Sequence, residues 1–217
     1  MYQYLDDKEF VHNMRKLAGE IMQSLCHFLK EDYGIGANFY LVGSGAKNLI
    51  LQNANQSVDL DYNLEIVKCE DFEDCRYLKE CARKSFNKAL RAYHLCDCED
   101  STSSLTSKLI HFTSGNRTGF SLDVCVTCRD EESNYYRLIH EKAILSVFDQ
   151  YYWNLARNSE KLKEKAAYIK KRGKWKSVRQ EYEEIKNNYL TRNDFNHPSF
   201  VCYVEAVNNV YNAIKHR

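Results

Sequence analysis

Three aspartates in this 217-residue chain have the spacing that carboxylate-dependent chemistry requires. Asp59 and Asp61 alternate with Val58, Leu60, Tyr62 and Leu64, and Asp123 alternates with Phe120, Leu122, Val124 and Val126. Successive side chains of a strand point to opposite faces, so both segments predict an apolar face on a core and acids on the other side. Carboxylates gathered out of water without a counter-charge are strongly disfavoured. Acids sharing one sheet face therefore point to a divalent metal, and an all-oxygen ligand set favours magnesium. Upstream stands Gly43-Ser44-Gly45-Ala46-Lys47. Its glycines would let the backbone approach a triphosphate, and Ser44 can donate from hydroxyl and amide. Lys47 is a further candidate for phosphate contact, or else an exposed first-turn lysine. A P-loop is excluded, because that loop needs Gly-Lys followed by Ser or Thr, whereas Ala46 precedes this lysine and Asn48 follows it.

The elements that must position these residues follow from periodicity. Phe10, Met14, Leu17, Ile21, Leu25 and Phe28 recur at helical steps behind Asp6 and Asp7, predicting a helix that ends near Gly34 and Gly36. A buried strand over 38–42, a short helix over 46–52 and the Asp59 strand come next. A helix over 71–93 precedes strands over 94–99, 105–112 and 119–128, the last two joined as a hairpin by the turn-rich residues 113–118. From Glu132 the pattern reads as helical, over 133–156, 158–171, 175–191 and 198–215. The last helix opens at Pro198, with Asn196 or His197 near its cap. The expected fold class is α+β: a mixed sheet flanked by helices over residues 1–130, then a helical region over 131–217.

An apolar strand, Gly43-Ser44, a short helix, Asp59-Leu60-Asp61 and a later Asp123, in that order, resemble the DNA polymerase β-like nucleotidyltransferase superfamily. The resemblance implies that Asp59 and Asp61 hold two Mg2+ ions, with Mn2+ able to substitute, and that Asp123 completes the site and helps take a proton. It implies transfer of a nucleoside monophosphate from an NTP such as ATP to an unidentified hydroxyl of RNA, protein or a small molecule, with release of pyrophosphate. Such chemistry needs carboxylates because two ions about 3.5–4 Å apart can stabilise both the attacking and the leaving oxygen. Same-face residues of one strand, about 6.5–7 Å apart, can bridge such a pair. Two departures from the common pattern stand out. Fourteen residues separate Ser44 from Asp59, more than usual, and Val58 occupies a position where many members carry Ser or Thr. Neither removes an acid. The alternative is a non-catalytic, antitoxin-like binding partner built on the same fold, and a third reading treats the acids as merely exposed strand residues.

Composition narrows the setting. No run of about 18 apolar residues is present to span a membrane, and the N-terminus lacks the regions of a secretory signal, so a soluble, cytoplasmic protein without a membrane partner is expected. Nine scattered cysteines read as reduced thiols used as small apolar residues. Cys96-Asp97-Cys98 with Cys125-Val126-Thr127-Cys128 lacks the turn glycine of a zinc knuckle. Residues 1–130 carry 15 basic and 19 acidic side chains, the remainder 16 and 11. The basic excess lies in segment 161–179, interleaved with Tyr168 and Trp175. It admits RNA contact, or is the solvated face of helices balanced by Glu160, Glu164 and Glu181. A protein partner also stays open. Tyr135, Tyr136, Tyr151, Tyr152 and Trp153 are expected on the helix after the third acid, largely as core. Lys142 could reach a triphosphate, and His94, His111 and His140 read as structural.

Overall fold

The computed structural model describes residues 1–156, 159–194 and 198–216. In chain order its first elements are β1 (Tyr2–Tyr4), α1 (Lys8–Tyr33), β2 (Gly36–Leu41), α2 (Gly43–Lys47), β3 (Leu51–Asn53) and β4 (Val58–Lys68). Then come α3 (Cys75–Ala92), β5 (Glu99–Asp100), β6 (Leu105–Thr106), β7 (Phe120–Arg129), β8 (Tyr135–Glu141) and β9 (Gln150–Leu155). Helices α4 (Glu160–Lys171), α5 (Trp175–Thr191) and α6 (Ser199–Lys215) follow. Contacts divide the chain into two compact units, each assembled from separated segments.

The larger unit takes Asp7–Lys47 and Ser57–Ala156. Asp7 caps α1 by accepting from the Phe10 amide at 2.9 Å, and Gly34 closes it at φ 68, a left-handed conformation that favours glycine. Phe10, Met14, Ile21 and Leu25 of the predicted stripe are buried, together with Ala18, Met22 and Leu29. The mixed sheet runs β2-β4-β7-β6-β5, with β8 joined to β7 and β9 to β8. Its inner pair, β4 and β7, is parallel, which requires a long crossover, and α3 lies within that connection. Val58, Leu60, Tyr62, Leu64, Phe120, Leu122, Val124 and Val126 are each 3% exposed or less, so the alternation read from both segments points to the core as expected.

Several local expectations for this unit are corrected. Residues 133–156 form no α-helix, only a single 3-10 turn at Ser146–Phe148. They form β8 and β9, paired antiparallel from Tyr136 opposite Leu155 to Glu141 opposite Gln150. Aromatic and β-branched side chains fit a pleated surface, and burial of Leu138 and His140 between exposed Arg137 and Glu141 has the period of a strand. The strand expected over 94–99 shrinks to β5, and the one over 105–112 to β6 plus a single bridge from Ile110 to Phe120. Helix α2 begins at Gly43 instead of 46, so the Gly-Ser pair lies in its first turn.

The smaller unit takes Met1–Asp6, Asn48–Gln56 and Arg157–Arg217. Strands β1 and β3, neither of them anticipated, pair antiparallel. Helices α4, α5 and α6 fall within two residues of the expected bounds. Leu49, Ile169, Val178, Tyr182, Cys202, Ala206 and Val207 form this unit's core. Asn196 and His197, expected near the cap of α6, lie outside the described residues. Among the described residues no helix is long and apolar enough to cross a membrane.

Candidate active site

Strand register decides how the acids meet. In the parallel pair, Asp61 stands beside Asp123 and Asp59 beside Ser121, so all three carboxylates leave the same sheet face on neighbouring strands. On the far side of β7, Thr106 of β6 is the partner of Asp123. Ser121 Oγ donates to Asp59 Oδ1 at 2.5 Å, and Thr106 Oγ1 donates to Asp123 Oδ1 at 2.5 Å. Asp59 is exposed, while Asp61 and Asp123 are half-buried.

The electrostatics follow from that placement. Burial pushes the Asp61 carboxyl above its ordinary range, and the charges of Asp123 and Asp59 push it further, against Lys47 and Arg137. Burial also raises Asp123, opposed by the Thr106 hydrogen bond and reinforced by Asp59. Desolvated like charges of this kind are what a bound cation relieves. The donors are hard carboxylate oxygens, which suit magnesium in chemistry. Among the described residues, however, no three His, Cys, Asp or Glu side chains are close-set around a single point.

Helix α2 brings the glycine-serine turn to the acids. Gly43 has φ +59, and a Cβ built there would stand 2.0 Å from Asp61 Oδ2. Only glycine allows the two to lie this close. The Val42 amide donates to the Asp61 carbonyl at 2.8 Å, pinning the entry to the turn against β4. Lys47 Nζ, expected on phosphate, donates to Gly43 O at 2.9 Å. Arg15 Nη2 of α1 donates to Gly45 O at 2.5 Å. Ser44 is half-buried within the helix.

Three neighbours of the acids, and Arg15 beside the turn, escaped the sequence reading. Ser121 and Thr106 are ordinary strand residues until register sets them beside Asp59 and Asp123. Arg137 was hidden by the helical assignment. As a strand residue opposite Thr127 it emerges on the acid face, and the period-two pattern of 137–141 was its available signal. Arg15 has no sequence signal, since its contact spans 30 residues.

Other candidates lie elsewhere. Lys142 donates to the Asp100 carbonyl. Asp100 is opposite Leu105, itself opposite Val124, so it belongs to the core face. There, fully buried Lys79 lies 3.2 Å from Asp100, and His140 sits between Asp100 at 2.7 Å and Asp149 at 2.9 Å. Tyr151 stacks on the His140 ring at 4.1 Å. Within the basic segment, Lys170 lies over Trp175, Arg172 over Tyr168 and Arg179 over Tyr4, so these cations rest on aromatic rings of their own unit.

The α+β fold of the chain is shared with solved structures of nucleotide synthases. The chain is similar to Vibrio cholerae DncV, a cyclic AMP-GMP synthase and prokaryotic cGAS homolog, at a TM-score of 0.59 and 11% identity over 82% of this chain and 60% of that one. It is similar to E. coli MS115-1 CdnC bound to ATP at 0.55 and 18%, over 93% and 61% of the two chains. The same CdnC in its HORMA-deltaN complex gives 0.57 and 15%, over 93% and 60%. A third match is the Elizabethkingia meningoseptica CdnE cyclic dinucleotide synthase with GTP and Apcpp, at 0.52 and 13%, over 90% and 69%. The chain thus spans about three fifths of the length of DncV and CdnC. No protein-family model matches it by sequence, and no curated protein does.

Proposed function

We propose that the chain is a metal-dependent nucleotidyltransferase, moving a nucleoside monophosphate from a nucleoside triphosphate to an acceptor hydroxyl with release of pyrophosphate. The observation that carries this reading is the register of Asp61 beside Asp123, with Gly43 in contact with the Asp61 carboxylate. The chemistry is assigned to the unit formed by Asp7–Lys47 and Ser57–Ala156. Asp59, Asp61 and Asp123 would hold Mg2+ or Mn2+. Bound there, divalent ions would supply charge neutralisation at the attacking and leaving oxygens.

In the transfer, the acceptor oxygen forms a bond to the α-phosphorus while the bond from that phosphorus to the α,β-bridging oxygen breaks. Asp123 would receive the acceptor's proton at Oδ2, since Oδ1 accepts from Thr106. Its raised proton affinity favours that role. Gly43 and Ser44 would lie against the triphosphate with backbone and hydroxyl donors. Lys47 would join them only by releasing Gly43 O. The names of DncV and CdnE suggest a second nucleotide as the acceptor to try first. RNA, through segment 161–179, and a protein side chain are the next.

The test is incubation with labelled triphosphates, Mg2+ or Mn2+ and candidate acceptors. Asp59→Ala should abolish product, and an unaltered rate would remove the assignment. A second reading, a non-catalytic partner that uses the fold to bind another protein, is favoured by the lack of a close-set acid trio among the described residues. Stable co-purification of a partner with no triphosphate turnover would select it.

A further inference from the structure

Helix α2 has five residues, two of them glycine. A helix this short does not hold itself together, because nucleation outweighs its few internal hydrogen bonds, and glycine weakens it further. Its stability comes from outside contacts. Arg15 reaches across from α1 to Gly45 O at 2.5 Å. Lys47 folds back onto Gly43 O at 2.9 Å. Gly45 is pressed onto the sheet, where a Cβ would stand 3.0 Å from Leu60 Cδ2 and 3.2 Å from Leu41 Cδ1.

The last carbonyls of a helix are the acceptors that its own amides leave unpaired. A guanidinium that takes one of them makes a charge-assisted bond, stronger than a neutral one. Arg15 stands on α1 next to the face that buries Met14 and Ala18. Two residues before the carbonyl it holds, Gly43 meets the Asp61 carboxylate without room for a methyl group. A shift of α2 therefore reaches the acid site within one turn of helix.

We propose that Arg15 is a positioning residue for the acid site: by holding Gly45 O it fixes the Gly43-Ser44-Gly45 backbone against Asp61. The inference rests on the nucleotidyl-transfer reading for its kinetic consequence only. Its structural consequence is read independently of turnover.

The experiment compares the full chain with Arg15→Met and Arg15→Lys. Hydrogen–deuterium exchange over residues 43–47 should quicken about tenfold in Arg15→Met and less in Arg15→Lys, with β4 and β7 unchanged. In the transfer assay, Arg15→Met should raise the KM for triphosphate about tenfold, and Arg15→Lys should recover part of it. A merely structural role would lower kcat with the folded fraction and leave KM where it was. Unchanged exchange over 43–47 overturns the inference whatever the activity, and so does faster exchange across the whole sheet in both variants. If the unmutated chain transfers nothing, the functional reading fails, while the exchange arm still decides the role of Arg15.

Discussion

Gly43→Ala isolates the contact between the turn and the acids. A methyl group at this position would stand 2.0 Å from Asp61 Oδ2, 2.8 Å from Cγ and 3.2 Å from Cβ. Ordinary contact begins at 3.4 Å, so the carboxylate oxygen must retreat by about 1.4 Å, or the turn must move by as much. The residue also keeps φ +59, a left-handed conformation costing a non-glycine residue about 1–2 kcal/mol. Asp61 can relieve the overlap by rotating its side chain, so the stability loss should stay near that figure, about 2–8 °C in Tm for a chain of this size. Function should suffer more. A displacement of about 1 Å in a reacting constellation is worth about 100-fold in rate, or about 2.7 kcal/mol of activation free energy. The assay is kcat/KM for pyrophosphate release alongside a thermal melt. Alanine at 43 with an unaltered rate would refute the argument that Gly43 is required by the position of Asp61. Equal losses in stability and activity would place the effect in folding instead.

Three further outcomes follow from the same geometry. Asp61 has a raised pKa in the folded chain, so folding binds its proton more tightly, and the ionised form weakens the fold above the ordinary carboxylate range. Asp61→Asn should therefore raise Tm at neutral pH in the presence of chelator, by a margin that closes as pH falls through the raised pKa, while abolishing transfer; melts across pH check it. Thr106→Val removes the hydrogen bond that opposes the rise at Asp123, so the acid limb of the kcat/KM profile should move to higher pH. Lys79→Met leaves Asp100 without the buried ammonium at 3.2 Å, which should lower stability by about 3–5 kcal/mol in urea denaturation, with little effect on triphosphate affinity.

Period-two alternation in 58–64 and 120–126 is a local property, and it sufficed to place three acids on one side of two strands. The same holds for the stripe of α1, its cap at Asp7, and the bounds of α4 to α6, where apolar spacing and end signals lie within a few residues of each other. The aromatic run after residue 130 was different. Short apolar and aromatic stretches suit a helix or a strand, and the choice was made by the open edge of β7, to which β8 adds at Thr127 to Arg129. That choice also brought Arg137 to the acid face.

Amino-acid order alone marked Asp59, Asp61, Asp123 and the glycine-flanked serine as candidates, and determined their strands and the α+β class. Tertiary structure alone decided that Asp61 stands beside Asp123, that hydroxyls of Ser121 and Thr106 hold two of the acids, and that Arg15 reaches Gly45. It also decided that residues 48–56 join the first six residues and the last three helices in a separate unit. The physical reason is range. Side-chain alternation and capping are settled within a turn or two of the chain, whereas register and pairing between distant segments depend on which surfaces are left unburied once the local elements have formed.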